Sequence, residues 1–231
     1  MSSETINYYN QNAADFASAT DQIDMTALYA EFLPWVKTGG HILDAGCGSG
    51  RDAAYFKQLG FSVSAFDASS ALAEIASKRL KQPVAVQQFE QLNDLELYDG
   101  IWCCASLLHV RADNLVSVFN HLQQALKPGA LLYVSFKYGD SEREVNGRHF
   151  TDMNETILSN LVGRVNNLSI SKIWLTQDQR PEHSQESWLN ALILKTKEGK
   201  KLSRNSRHYR TFCSKISRSE IWCATAWTMK L

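Results

Sequence analysis

The stretch His41-Ile-Leu-Asp44-Ala-Gly46-Cys47-Gly48-Ser-Gly50-Arg51-Asp52 decides how this chain is read. An apolar run of strand character enters three glycines at alternate positions and passes directly into a helical stretch. Such a turn lets backbone approach a ligand closely while the amides at the helix start face it, so a polar ligand is expected there. A dinucleotide fingerprint, G-x-G-x-x-G, does not fit. Counted from Gly46 and Gly48, the sixth position is Arg51, and Gly50 comes one residue early.

Outward from this turn, strands alternate with helices. The pattern predicts strands at 41–45, 62–67, 84–88, 100–104 and 130–136, with helices at 51–59, 70–80 and 113–126, punctuated by Gly60, Pro83, Pro128 and Gly129. Strands separated by helices imply right-handed crossovers and a parallel sheet covered on both faces. Before it, three- and four-residue apolar steps predict helices over 5–18 and 22–36, with Asp21 available as a cap. After it, 139–148 reads as a charged loop and 153–161 as a short helix. Apolar strands at 169–175 and 188–194 follow, one of which must enter the sheet antiparallel.

Two acids narrow the ligand. Asp44, ending the first strand, sets a negative charge beside the glycine turn, which repels a pyrophosphate but suits an ammonium or a sulfonium. Asp67, ending the second strand, can accept both hydroxyls of a ribose. A cationic amino-acid part, a ribose and an aromatic base describe S-adenosylmethionine.

Leu43-Asp-Ala-Gly-Cys-Gly-Ser-Gly50 resembles motif I of the class I S-adenosylmethionine-dependent methyltransferases. Asp67, Gln88-Phe89-Glu90 after the third strand, Tyr98 to His109 across the fourth, and Leu126-Lys-Pro-Gly before the fifth continue the match. Tyr8-Tyr9-x-x-x-Ala13-x-x-Phe16 is similar to the lid helices of the small-molecule branch, especially the tellurite-resistance relatives.

The resemblance covers roughly residues 5–197. It implies a doubly wound, Rossmann-like αβα domain over 1–197, with a mostly parallel seven-stranded sheet, one antiparallel strand and an N-terminal lid over 1–38. It also implies Asp44, Gly46, Cys47, Gly48, Gly50, Asp67, Ala68, Ser69, Phe89, Glu90, Cys104 and Ala105 as cofactor contacts. One of Tyr8 and Tyr9 is expected to reach the methionine end, with Tyr9 the candidate carried forward.

His109 follows a strand at its carboxyl end, where ligands bind in open α/β sheets; an imidazole there can accept a substrate proton or hydrogen-bond a neighbouring loop. Tyr138 is the second candidate base. Loops after strands carry substrate determinants, which makes Lys137, Tyr138, Arg148 and Arg180 candidate acceptor contacts. A soft anionic nucleophile would need no base, whereas an alcohol or amine would. The acceptor is therefore left open.

Composition sets the remaining bounds. The 231 residues carry 24 basic and 24 acidic side chains, so net charge supplies no reason to expect nucleic acid or a membrane surface. The cancellation hides a tail, 198–231, with eight basic and two acidic residues, which is expected to be a loosely attached appendage. Five cysteines without C-x-x-C spacing fit a reducing compartment, and the first 20 residues lack a signal pattern, so a cytoplasmic monomer or homodimer is expected. No histidine stands at a metal-ligand spacing, and no metal is expected.

Two rival readings remain. One is a non-catalytic S-adenosylmethionine-binding protein working with a partner. The other is a nucleic-acid or protein methyltransferase that uses the basic tail. The Asn/Asp-Pro-Pro-Tyr/Phe motif of amino-methylating DNA enzymes is replaced by Cys104-Ala-Ser-Leu.

Overall fold

Along the first strand, β1 (His41–Ala45), successive side chains enter opposite cores: Ile42 and Leu43 are both buried, one on each face. This near-continuous apolar run places β1 at the centre of a sheet. The computed structural model describes residues 1–180 and 185–196, so the expectation for the basic tail lies outside the described residues.

Within them, the chain runs α1 (Ser3–Gln11), α2 (Ala13–Asp21), α3 (Thr26–Phe32), β1, α4 (Arg51–Gln58), β2 (Ser62–Asp67), α5 (Ser70–Leu80), β3 (Ala85–Val86) and β4 (Tyr98–Cys103). It continues through α6 (Ala112–Ala125), β5 (Leu126–Lys137), β6 (Glu142–Val145), β7 (Arg148–Thr151), α7 (Glu155–Gly163), β8 (Leu168–Gln177) and β9 (Ser187–Lys195). Seven strands form one sheet in the order β3-β2-β1-β4-β5-β9-β8. β9 runs antiparallel to both neighbours, and every other pair in the sheet is parallel. The expected doubly wound sheet with one reversed strand is therefore present.

One core packs α6 and α7 on the sheet. Leu115, Val118, Phe119 and Leu122 recur at three- and four-residue steps on α6 and are fully or almost fully buried, each contributing about 1.5–3 kcal/mol. The other core packs α3, α4 and α5 around Trp102, whose ring stacks on Tyr133 at 3.8 Å between centroids. Both cores leave the carboxyl ends of β1, β2, β4 and β5 facing one side, where the order reverses between β1 and β4.

Several expected elements are redrawn. The predicted helix 5–18 is two helices, broken at Asn12, whose φ of −113° and ψ of 18° are not helical. Asp21 does not cap the next helix but ends α2 and pairs with Arg79, 2.8 Å from its Nη1. Asp24 instead accepts the Thr26 amide at 2.9 Å. The expected charged loop 139–148 is largely a hairpin, β6–β7, closed by Asn146-Gly147, both at positive φ. Asn-Gly is the strongest two-residue hairpin signal, and the surrounding charges obscured it.

Candidate active site

The glycine turn after β1 is held open by backbone geometry. Gly46 has φ +73°, and a Cβ there would lie 2.5 Å from the Ser106 Cβ; its amide and that of Cys47 both donate to the Phe66 carbonyl at 2.9 Å. At Gly48 a Cβ would come 3.2 Å from the Phe16 ring, so the missing side chain lets the lid close over the turn. The turn borders a cavity of about 340 Å³, within the range of small-molecule sites.

Two buried carboxylates lie along one wall. Asp44 Oδ2 accepts the Ala53 amide at 3.0 Å, and burial, reinforced by the neighbouring Asp52 charge, pushes its pKa well above the usual carboxylate range. Asp67 accepts the Gly48 amide at 2.8 Å and the Ser69 amide at 2.8 Å, and burial raises its pKa too. Ala68 and Ser69 continue this wall, and Phe89, packed edge-on to Phe66, supplies an apolar side, with the polar Gln87 and Gln88 beside it.

The lid is fastened at several points. Thr5 Oγ1 accepts the His149 amide at 3.0 Å, and Asn10 Oδ1 accepts the Ser69 hydroxyl at 2.7 Å. These anchors deliver Tyr9 to the cavity, where its hydroxyl lies 2.8 Å from His109 Nε2. His109 Nδ1 lies 2.6 Å from the His149 carbonyl, which can only accept, so Nδ1 carries the proton and Nε2 receives the Tyr9 hydroxyl. Burial lowers the His109 pKa to about 4 and raises that of Tyr9 to about 12, so both are neutral near pH 7.

Across the cavity stand charged groups from β5, the β6–β7 hairpin and the β8–β9 ends. Lys137 Nζ lies 2.8 Å from Asp178 Oδ2, pairs with Glu186 and sits 4.2 Å over the Trp188 ring. Arg180 binds the same Asp178; burial opposes ionisation there, but the bonds from Arg180 and Lys137 hold its pKa below the ordinary range. Arg148 lies against the Tyr8 ring at 4.4 Å.

The structure therefore brings Tyr9, Asp44, Gly46, Cys47, Gly48, Asp67, Ala68, Ser69, Phe89, Cys104, Ala105, His109, Lys137, Arg148 and Arg180 to one cavity. Three expected residues are not on its lining. Tyr138 is 45% exposed and directs its hydroxyl toward Glu155 at 3.3 Å, because strand alternation turns it away from the side Lys137 faces. Glu90 lies in the short turn after Phe89, with Oε1 3.4 Å from the Met1 nitrogen. Gly50, at φ +76°, instead lets the start of α4 approach Ala76, 3.0 Å from where its Cβ would be.

Sequence reasoning missed Asp52 and Asp178, and read Phe16 only as part of the lid pattern. Asp52 accepts from its neighbour Arg51 and, across the chain, from Tyr29 and Trp102, a convergence that spacing along the sequence does not signal. Cys47 and Cys104 are thiols, their pKa values raised by burial. Among the described residues no group of acids, histidines and cysteines could hold a metal, and no helix is long and apolar enough to cross a membrane.

The chain is 33% identical over 99 residues to the ubiquinone biosynthesis O-methyltransferase of Rickettsia typhi, a match covering 41% of this chain and 39% of that relative's length. Its fold is similar to that of the Burkholderia thailandensis 1,6-didemethyltoxoflavin-N1-methyltransferase, with TM-score 0.65 and 22% identity over 84% of this chain and 91% of the other. It is also similar to magnesium protoporphyrin IX methyltransferase from Synechocystis PCC 6803, with TM-score 0.66 and 18% identity over 85% of this chain and 98% of the other. A family model described as a methyltransferase domain matches residues 18–167, which hold the glycine turn and the strands β1 to β5, and the chain belongs to that family.

Proposed function

We propose that this chain transfers a methyl group from S-adenosylmethionine to a small-molecule acceptor. The observation that carries the reading is the pair of buried acids, Asp44 and Asp67, at the ends of adjacent parallel strands on one cavity wall. Each is held by backbone amides, and burial has raised both pKa values. A ligand with a sulfonium and an ammonium would relieve that cost, and ribose hydroxyls would donate to the lone pairs Asp67 has left. The glycine turn with Gly46 and Gly48 would take the aminoacyl end, and Ala68 and Phe89 would flank the base.

When bound, the sulfonium supplies an already activated methyl group, so the protein's task is chiefly to position a nucleophile and exclude water. The lid serves exclusion: Tyr9 and Phe16 cover the turn in edge-on contact at 5.2 Å. For an acceptor arriving as an alcohol or amine, the proton leaves through Tyr9. Its oxygen accepts from the acceptor while its own proton passes to Nε2 of the neutral His109. The His149 carbonyl steadies the imidazolium that results.

Calorimetry separates this reading from its rivals. S-adenosylmethionine and S-adenosylhomocysteine should bind and NAD should not; a response to NAD alone would defeat the proposal. A screen of small acceptors for S-adenosylhomocysteine production then tests turnover, and binding without any turnover would favour a non-catalytic cofactor-binding protein.

A further inference from the structure

We infer that the acceptor end of this cavity is built for a small molecule bearing a carboxylate, held by Arg148; the inference rests on the methyl-transfer reading above. Five lysines and arginines line the cavity among the described residues. Four have a carboxylate in contact: Arg51 with Asp52 at 2.6 Å, Lys137 with Asp178 at 2.8 Å, Arg143 with Asp152 at 2.8 Å and Arg180 with Asp178 at 2.6 Å. Among the described residues Arg148 has no carboxylate within salt-bridge distance, and its Nε is buried without a hydrogen-bond partner.

Arg148 is nevertheless held in place. Its guanidinium carbon lies 4.4 Å from the Tyr8 ring centroid and 5.3 Å from that of Phe150, so aromatic faces from α1 and β7 flank it. Rings satisfy part of the cation's electrostatics but accept no strong hydrogen bond; beyond the bond it shares with the Tyr9 hydroxyl, its other terminal N–H donors keep their capacity for a planar anion. One uncompensated positive charge matches a monoanion. A dianionic phosphate would leave excess negative charge in a cavity that already holds Asp44, Asp67, Asp178 and Glu186.

The location adds a reason for the anion to belong to the acceptor. Arg148 stands beside the Tyr9–His109 pair, where its charge pulls the Tyr9 pKa down against burial and helps lower that of His109. A carboxylate seated on Arg148 would hold the rest of its molecule beside the hydroxyl that takes the acceptor's proton. The seat would reject neutral analogues by leaving the guanidinium without a counter-ion.

The test compares matched pairs differing only in charge: benzoate against benzamide and butyrate against butyramide. Each is titrated into the full chain loaded with S-adenosylhomocysteine, and again without it. In at least one pair the acid should bind about tenfold more tightly than the amide. Arg148→Gln should abolish that preference while the dissociation constant for S-adenosylhomocysteine stays unchanged, and Arg148→Lys should keep part of it.

Equal affinities within both pairs, or a preference that survives Arg148→Gln, would overturn the inference. A fall in S-adenosylhomocysteine affinity in Arg148→Gln would overturn it too, by assigning Arg148 to the cofactor. Should Arg148→Gln fail to fold, the wild-type pairs and Arg148→Lys decide. If wild type fails to bind S-adenosylhomocysteine, the methyl-transfer reading falls, and the titrations without it still judge the anion seat.

Discussion

The Tyr9 hydroxyl lies 2.8 Å from Nε2 of His109, joining the lid to the turn after β4 across 100 residues of chain. Tyr9→Phe removes this contact while keeping the ring that packs on Tyr8 and Phe16. With a hydroxyl or amine acceptor, turnover should fall roughly 10²-fold or more, with S-adenosylhomocysteine affinity nearly intact. Steady-state kinetics beside calorimetry checks this; lost cofactor affinity with unchanged turnover at saturation would make Tyr9 a cofactor contact instead.

The low pKa of His109 sets a sign for acid stability. Burial depresses it to about 4 in the fold, against roughly 6.5 in the unfolded chain. Between those values the unfolded chain binds more protons, so this residue makes the fold lose stability as pH falls from about 6.5 toward 4. His109→Gln should flatten that part of the stability profile, measured by urea unfolding at stepped pH. As a base, His109 stays unprotonated throughout the neutral range, so its titration should leave turnover level between pH 6 and 8.

Asp67→Asn keeps the size of the side chain but removes its charge and one acceptor oxygen, and Asp67 already serves the amides of Gly48 and Ser69. S-adenosylmethionine should bind more weakly by about 1.5–3 kcal/mol, the worth of a hydrogen bond to a charged group. Calorimetry gives the number. An unchanged dissociation constant would restrict Asp67 to holding the two loops.

Gly46→Ala introduces two faults: a left-handed φ of +73° and a Cβ 2.5 Å from that of Ser106. Together they should cost about 2–5 kcal/mol, lowering the melting temperature by roughly 5–15 °C. Gly147→Ala, also at positive φ but with nothing within 4 Å of its Cβ, provides the comparison and should cost less.

What could be read along the chain was what depends on near neighbours. The β1 and β2 bounds and those of α5 match the expectation because each is an apolar run or a 3.6-residue pattern with a clear stop. The glycine turn and its two acids were equally legible, since a βα turn is a local object whose residue spacing encodes the backbone path.

The contacts between distant segments were decided by the tertiary structure alone. Tyr9 and His109 meet because Thr5 and Asn10 fasten the lid to β7 and to the start of α5. Arg143 pairs with Asp152, and Lys137 and Arg180 with Asp178, while among the described residues Arg148 has no carboxylate partner. Tyr138 and Lys137 are adjacent in sequence, yet only Lys137 reaches the cavity. Residue type and spacing specify which chemistry is present, but which charges are compensated depends on the distances among all of them, and those exist only once the sheet, lid and hairpin have closed on one another.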